Sequence, residues 1–538
     1  MSEAPGKHGQ SDSASVQEAP GEIALSLSGG GTRALGFHLG TMDYLNRIGW
    51  LERVTILSSV SGGSLPAIGY AVAKKKGFSF EKYYQQIFEF FPGLNTIEQI
   101  FVNLSAAKPV VASGRRNLIT SWAEVYRQSY FGRYFDEPTF DIFWSGPQTH
   151  LREVIFNAAE FKTGVAFRFQ HSDYTDRFRV GNGNVWIDHE HARQLRISDV
   201  MASSSCIPGG MEPLQFPQDY HWPDDEWGEH GPNSRKTCDE VGRWLSKKFG
   251  LEDASIAIVD GGIYDNQTIS SVLLALSRAH RKEDAQDKPT PSEPAVNSTE
   301  WGTWFSRLVD HYMENADTDK LGLYIISDVP LRHDPMYQPD PDSCIPAADN
   351  SWLRRRTLGQ VNAAGWLISI VLLVGAAVNF ADFLIAESLL PFNWQRFVST
   401  GFRTSASNIV STLIPGLVAL AIGAALLMAR RWLYRRMASV ARTMPRMTRS
   451  WWPFLKGLTL GNVIDMMTVR AGSLSALVSR FYMHRTRQLE YDIVYGKRIL
   501  KNKILANEIY RLLDPPDGIA VTEDLYSVVE VAANTVSY

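Results

Sequence analysis

The sequence is poor in cysteine and carries no surplus of positive charge. Its 538 residues include only three cysteines, Cys206, Cys238 and Cys344, which lie far apart. A disulfide framework or a metal site built on paired cysteines is therefore not expected, and a reducing compartment fits best. The net charge of -3 argues against a nucleic-acid-binding protein, because such proteins usually have a basic excess. We predict neither a metal nor an organic cofactor.

The N-terminal segment lacks an apolar stretch of the kind found in signal peptides. Residues 1–21 are rich in Ser, Gly, Pro and Glu, so they cannot bury enough surface to fold and are predicted to be a disordered tail. The rest of the chain has ample material for a core, since 44% of all residues are hydrophobic. A length of 538 residues predicts two or three units, or one domain with large insertions.

From residue 22 onward, short apolar runs alternate with helical patterns. Such an alternation is expected of an α/β fold in which parallel strands form the central sheet. The predicted order is strand 22–28, helix 34–50, strand 54–60 and helix 61–76, with further strands at 254–260 and 321–328.

Two long uncharged runs stand apart from this pattern. Residues 363–378 are uncharged, with apolar character continuing to about 385, and residues 409–429 form a second uncharged run. A bilayer core of ~30 Å requires roughly 20 apolar residues in a helix, so the runs predict a pair of transmembrane helices. The alternative is a pair of helices buried in a soluble core.

Basic residues flank this predicted hairpin. Positive charge favours the cytoplasmic side of a membrane, which places both long soluble parts in the cytoplasm and the short loop outside. The arginines are Arg354, Arg355 and Arg356 before the first run and Arg430, Arg431, Arg435 and Arg436 after the second, against Arg396 and Arg403 in the loop.

The chain after the hairpin is polar again. Residues 461–494 have the pattern of an amphipathic helix. The predicted organisation is a disordered tail (1–21), an α/β domain (22–355), a transmembrane helix hairpin (356–436) and a C-terminal helical region (437–538) that packs on the α/β domain.

Ser61 lies at the centre of SVSGG (59–63), between a predicted strand and a predicted helix. A serine on a sharp strand-to-helix turn forms a nucleophile elbow, and small neighbours let strand and helix approach closely. The usual pattern is GxSxG; here Ser59 replaces the first glycine and Gly63 keeps the second. The N-terminus of the following helix favours developing negative charge near Ser61. The alternative is an ordinary Gly/Ser turn.

A glycine-rich turn lies between the first predicted strand and its helix. Gly29, Gly30, Gly31 and Thr32 expose backbone N–H groups that can stabilise an oxyanion, because glycine has no Cβ to block approach. Such a turn also suits a phosphate or a dinucleotide, but it matches neither GxGxxG nor the P-loop pattern. Arg33 adds positive charge, either beside the site or in a structural ion pair.

The base that would activate Ser61 is a carboxylate in our interpretation. His38 lies on the helix after the glycine turn and is expected to point away from Ser61, while His189 and His191 form an HEH that we interpret as ordinary surface residues. Asp260 ends a strongly apolar strand and precedes two glycines, so its carboxylate can reach a neighbouring loop and accept a proton directly. Acyl transfer needs a raised serine, a base and oxyanion donors, and each has a candidate.

Taken in order, these motifs resemble the patatin-like phospholipase family. About 30 residues separate the glycine turn from the serine, and about 200 separate the serine from the aspartate, as in that family. The resemblance implies a three-layer α/β/α fold with a mainly parallel central sheet, to which the two predicted transmembrane helices are added. It covers residues 22–275 and is carried by SGGGTR (28–33), SVSGG (59–63), an Ala-Ser-rich segment with Ile-Pro (201–214) and DGGIYDNQ (260–267).

The resemblance also implies a Ser-Asp dyad without histidine. Ser61 is then the nucleophile and Asp260 the base, and no metal takes part. Ala34 stands where the family usually has glycine, and together with Ser59 it departs from the family pattern. The resemblance further places Gly29, Gly30, Gly31 and Arg33 at the oxyanion hole and gives Gly63 and Gly262 supporting positions in the two motifs.

The implied activity is hydrolysis of acyl esters in membrane phospholipids or lysophospholipids. The expected partners are that lipid substrate and the bilayer, with no nucleic acid. The expected location is a bacterial inner membrane, with the catalytic domain in the cytoplasm. Two alternatives stay open: a catalytically inactive domain that acts as a membrane scaffold, suggested by Ser59 and Ala34, and a regulated effector that degrades membranes.

Overall fold

The chain divides into two compact units in a computed structural model. One unit comprises residues 1–336 together with 477–538, and the other comprises residues 337–476. The structure describes residues 21–90, 96–105, 117–208, 210–228, 231–251, 255–282, 301–317, 319–329, 352, 355–386, 409–443, 457–461, 463–464, 473–474, 483–496 and 504–507.

A large sheet forms the centre of the first unit. Its strand order is β12-β11-β1-β2-β3-β4-β5-β6, with β10 and β7 joined to β3, and β8 and β9 form a separate hairpin. The strands are β1 (Glu22–Leu27), β2 (Val54–Val60), β3 (Glu153–Glu160), β4 (Val165–Ser172), β5 (Val180–Gly181), β6 (Trp186–Ile187), β7 (Leu214–Phe216), β8 (Glu226–Gly228), β9 (Gly231–Ser234), β10 (Ile256–Asp260), β11 (Leu321–Ser327) and β12 (Ile504–Asn507).

The central strands of this sheet are parallel. The pairs β12–β11, β11–β1, β1–β2 and β2–β3 all run in one direction, and β4 to β7 and β10 are attached in antiparallel fashion. Strands covered on both faces read as continuous apolar runs, which explains the composition of β1 and β2.

Helices cover the two faces of the sheet and give the three-layer α/β/α fold. The helices of the first unit are α1 (Thr32–Arg47), α2 (Ser64–Lys75), α3 (Phe80–Phe90), α4 (Thr96–Ser105), α5 (Leu118–Tyr126), α6 (Gly132–Phe135), α7 (Ile142–Ser145), α8 (His189–Arg193), α9 (Ile197–Ser204), α10 (Lys236–Phe249), α11 (Ile269–Ala279) and α12 (Trp301–Asn315), with a later helix from Met483 to Tyr495.

Two separate hydrophobic cores lie on opposite faces of the sheet. Leu25 and Leu57 point into a core shared with α1 and α2, whereas their neighbours Ala24 and Ile56 point into a core shared with α11 and α12. Side chains alternate between the faces of a strand, so one apolar run supplies both cores.

The strand ends explain why distant motifs meet. The carboxyl end of β1 lies beside that of β2, since Leu27 pairs with Ser59 in parallel register. On the same edge of β3, Val60 of β2 pairs with Asn157, while Asp260 of the antiparallel β10 pairs with the next residue, Ala158. The ends of β2 and β10 therefore meet head to head beside β3.

The second unit contains two long apolar helices, α13 (Leu358–Ala386) and α14 (Ile414–Thr443). By length and composition, 358–385 and 414–432 are each able to cross a membrane. Only 11% of each apolar window is buried, which differs from the core helix of a soluble protein. Inside the pair, the Asn379 side-chain amide donates to the Gly375 carbonyl at 2.8 Å, so its polar group is satisfied within α13.

The structure confirms the predicted strands and helices at the start of the chain. The prediction of an amphipathic helix over 461–494 matches described structure at its end, where the helix from Met483 to Tyr495, named α15, packs against α12 in the first unit. The predicted boundaries at 355 and 436 differ from the unit boundaries at 336 and 476. The predicted tail, apart from residue 21, and Cys344 lie outside the described residues.

Candidate active site

Ser61 occupies a strained backbone position directly after β2. Its φ angle is 53°, in the left-handed region that non-glycine residues rarely adopt. A short 3₁₀ turn over Ser61–Gly63 leads into α2. The side chain is thereby raised on the strand-to-helix turn predicted for a nucleophile elbow. Strain of this kind is found where the surrounding structure holds a residue in place, often at a functional site.

The turn is held by the glycine-rich loop that packs against it. A Cβ on Gly62 would lie 2.0 Å from the Gly31 carbonyl oxygen, and one on Gly63 would lie 2.5 Å from the Ser28 carbonyl oxygen. Neither position has room for any side chain. The geometry of the elbow therefore depends on the two glycines after Ser61 as well as on the serine itself.

Asp260 is the last residue of β10, directly before a short 3₁₀ turn over Gly261–Ile263, and its side chain lies beside Ser61. Its side chain is buried, one carboxylate oxygen accepts a hydrogen bond from the Gly262 N–H at 2.7 Å, and its own N–H donates to the Cys206 carbonyl at 2.8 Å. Burial raises the pKa of Asp260 to about 6, while hydrogen bonds from the Ser61 hydroxyl and the Gly262 N–H act in the opposite direction. The carboxylate thus faces the hydroxyl that it would deprotonate.

The second carboxylate oxygen of Asp260, Oδ2, has no partner of regular hydrogen-bond geometry among the described residues. The contact with the Ser61 hydroxyl is therefore looser than a standard hydrogen bond. Catalytic hydrogen bonds are often long or poorly aligned before the substrate binds. An oxygen with spare acceptor capacity, close to a serine hydroxyl, is suited to receive its proton.

A chain of buried hydroxyls supports Ser61 from below. The Ser61 N–H donates to Ser204 Oγ at 3.1 Å, and the Ser204 hydroxyl donates to the Asn157 carbonyl at 2.7 Å. Because that hydroxyl has a single proton, Ser64 must donate to it at 2.7 Å, and Ser59 in turn donates to Ser64 at 3.1 Å. The hydroxyl of Ser59, which departs from the family pattern, is accommodated in this network.

Asn157 ties the elbow to the strand beside it. Its side-chain amide donates to the Ser59 carbonyl at 2.9 Å and to Ser58 Oγ at 3.0 Å, and its side-chain oxygen accepts from Ser271 Oγ at 2.6 Å. Sequence reasoning missed both Asn157 and Ser204. Asn157 belongs to no motif, and its place follows from the pairing of β2 with β3. Ser204 lies in the Ala-Ser-rich segment 201–214, but the sequence pattern assigned it no role, and its contact with Ser61 is seen only in the structure.

The glycine-rich turn presents two amides beside the elbow. Gly30 and Gly31 have φ angles of 156° and 66°, which glycine adopts without strain. In the described part of the chain, neither of their N–H groups has a hydrogen-bond partner within the protein. Arg33, at the first turn of α1, is half-buried.

The structure differs from the sequence prediction at Gly29. Its N–H donates to the Asn266 carbonyl at 3.1 Å and is not available to an oxyanion. The glycine is needed for another reason, because a Cβ there would lie 2.3 Å from the Asn266 side-chain oxygen and 3.1 Å from the Ser61 Cβ. Gly29 therefore lets the loop carrying Asn266 approach Ser61.

His38 supports the glycine-rich turn and does not approach Ser61, as predicted. One ring nitrogen, Nε2, lies 2.7 Å from the Ser28 carbonyl, and Nδ1 lies 2.8 Å from Ser327 Oγ. The neutral tautomer with a proton on Nε2 satisfies both contacts. Burial lowers the pKa of His38 to about 4, so the ring is neutral at pH 7.

Ala34 is also accommodated. Its side chain is fully buried, and its N–H donates to the Gly31 carbonyl at 3.1 Å within the first turn of α1. The methyl group lies near Gly30, where an added Cβ would lie 3.3 Å from it. The departure at position 34 leaves the turn intact.

Both histidines of the HEH segment have partners within the protein. His191 Nδ1 contacts Asp188 at 2.8 Å, which raises the pKa of His191, and His189 Nε2 lies 3.1 Å from the Phe178 carbonyl. Within the described ranges, no group of three or more His, Cys, Asp or Glu side chains is arranged to hold a metal ion.

Three features lie together where strands of a largely parallel sheet end. They are a strained serine on an elbow, a buried aspartate and a glycine-rich turn. A family model described as patatin-like phospholipase matches residues 25–273. These residues form a patatin-like phospholipase domain. The family acts on lipids as an acyl hydrolase. No curated protein sequence matches the chain. The patatin-like domain contains the end of β1, all of β2 to β10 and the beginning of α11, whereas β11, β12 and α15 lie beyond the match.

Proposed function

We propose that the protein hydrolyses acyl esters of membrane phospholipids or lysophospholipids, with Ser61 as nucleophile and Asp260 as base. The observation that carries the proposal is the placement of a strained Ser61 beside a buried carboxylate with one oxygen left to accept a proton. Membership of a lipid acyl hydrolase family supports the substrate class.

In this mechanism the Ser61 oxygen attacks the ester carbonyl while Asp260 Oδ2 accepts the hydroxyl proton. The tetrahedral intermediate carries its negative charge on the former carbonyl oxygen, and the N–H groups of Gly30 and Gly31 are the proposed donors to it; their lack of a partner within the described part of the protein supports this role. Asp260 then gives the proton to the departing alcohol, and an acyl-Ser61 ester remains. Water repeats the sequence: Asp260 takes its proton, the hydroxide attacks the ester, and Ser61 leaves with that proton as the fatty acid is released.

A carboxylate can serve as the base here because its environment makes it more basic than an exposed aspartate. With a pKa of about 6, Asp260 is mostly ionised at pH 7 and binds a proton far better than a group with the ordinary value of 3.8. A base with a pKa near the working pH combines the correct charge with a favourable driving force for proton transfer.

A fluorophosphonate probe provides the direct test. Such probes form a covalent phosphonyl ester only with a serine that is activated as a nucleophile, so we expect labelling of the peptide that contains Ser61, located by mass spectrometry. Heat-denatured protein is the control and should not react. Labelling of another serine, or no labelling of protein that hydrolyses lipid, contradicts the proposed nucleophile. A protein that neither reacts with the probe nor hydrolyses lipid instead favours the alternative of a catalytically inactive membrane scaffold.

The same proposal predicts the pH dependence of hydrolysis. Asp260 must be ionised to accept the proton, so kcat/KM should increase with pH and level off above about pH 6. Below that value the rate should fall roughly tenfold for each pH unit. A water-soluble ester in detergent solution separates this titration from any effect of pH on a bilayer. A flat profile between pH 4.5 and 7.5 contradicts the assignment of Asp260 as base.

We further propose that α13 and α14 anchor the protein in a membrane. Exposed apolar side chains on both helices support this, with Val371 60% exposed and Val418 51% exposed. The arginine-rich flanks favour a cytoplasmic location of the first unit. An enzyme held at a leaflet in this way meets its lipid substrate without first binding the surface from solution.

Substitution of Val418 by arginine tests the anchor. A charge in the middle of a membrane helix costs about 3 kcal/mol or more, so the variant should appear in the soluble or aggregated fraction. The wild-type protein should stay with membranes after alkaline carbonate washing and require detergent for release. Val102, 61% exposed on α4, is the matched position, and arginine there should change nothing. Wild-type protein that washes off the membrane contradicts the anchor.

A further inference from the structure

Helix α15 follows the apolar helices in sequence and belongs to the first unit. It contacts Asp328, a residue close to the glycine-rich turn of the candidate active site. It lies more than two hundred residues beyond the end of the patatin-like domain at residue 273. Its buried face carries three polar side chains. Arg487 is 9% exposed and Glu490 is 1% exposed. Tyr491 packs against the hydrophobic core that includes α11 and α12. Charged residues are rarely buried to this degree unless they are paired.

The partner of Arg487 is Asp328, the residue that follows β11. The guanidinium lies 2.6 Å from Asp328 Oδ2, and both side chains are at most 10% exposed. The Tyr491 hydroxyl donates to the same oxygen at 2.7 Å, and the Gln267 side-chain amide donates to Oδ1 at 3.3 Å. One aspartate thus binds α15 on one side and the loop after Asp260 on the other.

Asp328 also reaches the glycine-rich turn. Its carboxylate interacts with the Ser28 hydroxyl, and that hydroxyl oxygen accepts the Val329 N–H at 2.9 Å. The preceding residue, Ser327, accepts the Ser28 N–H through its carbonyl at 3.0 Å. The end of β11 therefore holds the residue from which the glycine-rich turn begins.

The cluster contains more acidic than basic groups. Asp265, Asp328 and Glu490 are all buried, and Arg487 is the cation that contacts Asp328. Burial and the two neighbouring aspartates raise the pKa of Glu490 well above its usual range, while Asp265 accepts the N–H groups that begin α11. Removing Arg487 would leave Asp328 buried without its counter-charge, a costly state.

We propose that Arg487 is a positioning residue for hydrolysis, which acts through Asp328 to fix the glycine-rich turn and the loop after Asp260 around Ser61. This inference rests on the proposed function of Ser61 and Asp260. It assigns a role in the reaction to the C-terminal part of the chain: the patatin-like domain is completed by a helix that follows the apolar pair in sequence.

The test compares variants of the full-length protein in detergent, with a water-soluble p-nitrophenyl ester as substrate. Arg487→Met should lower kcat about 10- to 100-fold, because small displacements of reacting groups have effects of that size. KM should stay within about threefold, since no contact with the substrate is removed. Arg487→Lys, which keeps the charge, should retain more activity than Arg487→Met. The double variant Asp328→Asn/Arg487→Met should recover at least about fivefold in kcat over Arg487→Met, because the unpaired charge is gone.

Arg278→Met is the matched control for loss of a buried ion pair. Arg278 contacts the fully buried Glu153 at the start of β3, the end of that strand away from Ser61. This variant should lose thermal stability while its kcat at a temperature well below unfolding stays that of the wild type. Should Arg487→Met fail to fold, Tyr491→Phe removes one hydrogen bond to Asp328 and should still lower kcat about threefold or more.

The outcomes separate the two hypotheses. Arg487→Met or Tyr491→Phe with wild-type kcat, in a protein that Ser61→Ala inactivates, overturns the positioning role and leaves the proposed function standing. Equal loss of kcat in Arg278→Met also overturns it, because general destabilisation then explains the effect. A Ser61→Ala variant that is as active as the wild type overturns the proposed function itself.

Discussion

Replacing Ser61 by alanine should reduce ester hydrolysis by about 10³-fold or more, because it removes the only atom that forms the proposed acyl-enzyme. The fold should be unaffected, since the Ser61 N–H bond to Ser204 and the packing of Gly62 do not involve the hydroxyl. The measurement is fatty acid release from phospholipid vesicles and from a soluble ester at equal protein concentrations. Circular dichroism spectra of the variant and the wild type should be the same.

The Asp260→Asn variant tests the proposed base. Its stability shows whether any loss of activity results from a loss of structure. Asparagine is the same size and can still accept the Gly262 N–H bond, but it cannot take a proton from Ser61. Hydrolysis should fall to a similar level. The free energy of unfolding should increase, because an isolated buried carboxylate destabilises the folded state.

The sign and pH range of that stability change follow from the pKa. In the folded protein Asp260 has a pKa of about 6, above the value of 3.8 expected for an exposed aspartate. The folded state therefore binds the proton more tightly, and stability is lost as pH rises from about 4 to about 6. Asparagine avoids this loss, which amounts to about 3 kcal/mol at pH 7 and vanishes near pH 4. Chemical denaturation at both pH values measures the difference.

Two results would contradict this picture. An Asp260→Asn variant with substantial activity would require another base, and His38 could not provide it because both of its ring nitrogens are engaged. An Asp260→Asn variant that is inactive and strongly destabilised at pH 7 would mean that the carboxylate supports the fold, and the loss of activity would then say little about proton transfer.

Much of the candidate site could be predicted from the sequence because each of its parts has a local pattern. A strand, a sharp turn and a helix within 20 residues fix the elbow at Ser61, and the carboxyl ends of neighbouring parallel strands meet at one edge of a sheet. Asp260 was recognisable since it ends an apolar strand before two glycines. The sequence did not show that β10 is antiparallel and meets β2 end to end.

The support of the site could not be predicted because it depends on contacts between distant segments. Ser204 contacts Asn157, which is 47 residues away in sequence, and it also contacts Ser61 of the elbow. Asp328 and Arg487, which form an ion pair, are 159 residues apart. The motif at 201–214 does not single out Ser204 among its three serines, and no local pattern marks Asn157, Asp328 or Arg487. A buried serine or asparagine in a strand or helix is usually a structural polar group. The assignment of Gly29 failed for the same reason: its N–H is taken by a residue more than two hundred positions away.

The tight packing behind the elbow gives the second large prediction, at Gly62. Substitution by alanine would place a methyl group 2.0 Å from the Gly31 carbonyl oxygen, where backbone atoms must move apart. Movement of Gly31 displaces an amide that the mechanism uses for the oxyanion, so hydrolysis should fall about 100-fold. The same overlap should cost about 2 kcal/mol or more of the free energy of unfolding.

Gly183 is the matched control for Gly62, because an added Cβ there meets no atom within 4 Å and its backbone is not in the left-handed region. Gly183→Ala should leave both activity and stability unchanged, which isolates the effect of the overlap from that of the added methyl group. In Gly62→Ala, the rate of acylation and the rate of fluorophosphonate labelling should both decrease, because both reactions develop negative charge on an oxygen beside the displaced amide. A variant that is destabilised but still labelled at the wild-type rate would show that Gly31 holds the elbow without stabilising the charge.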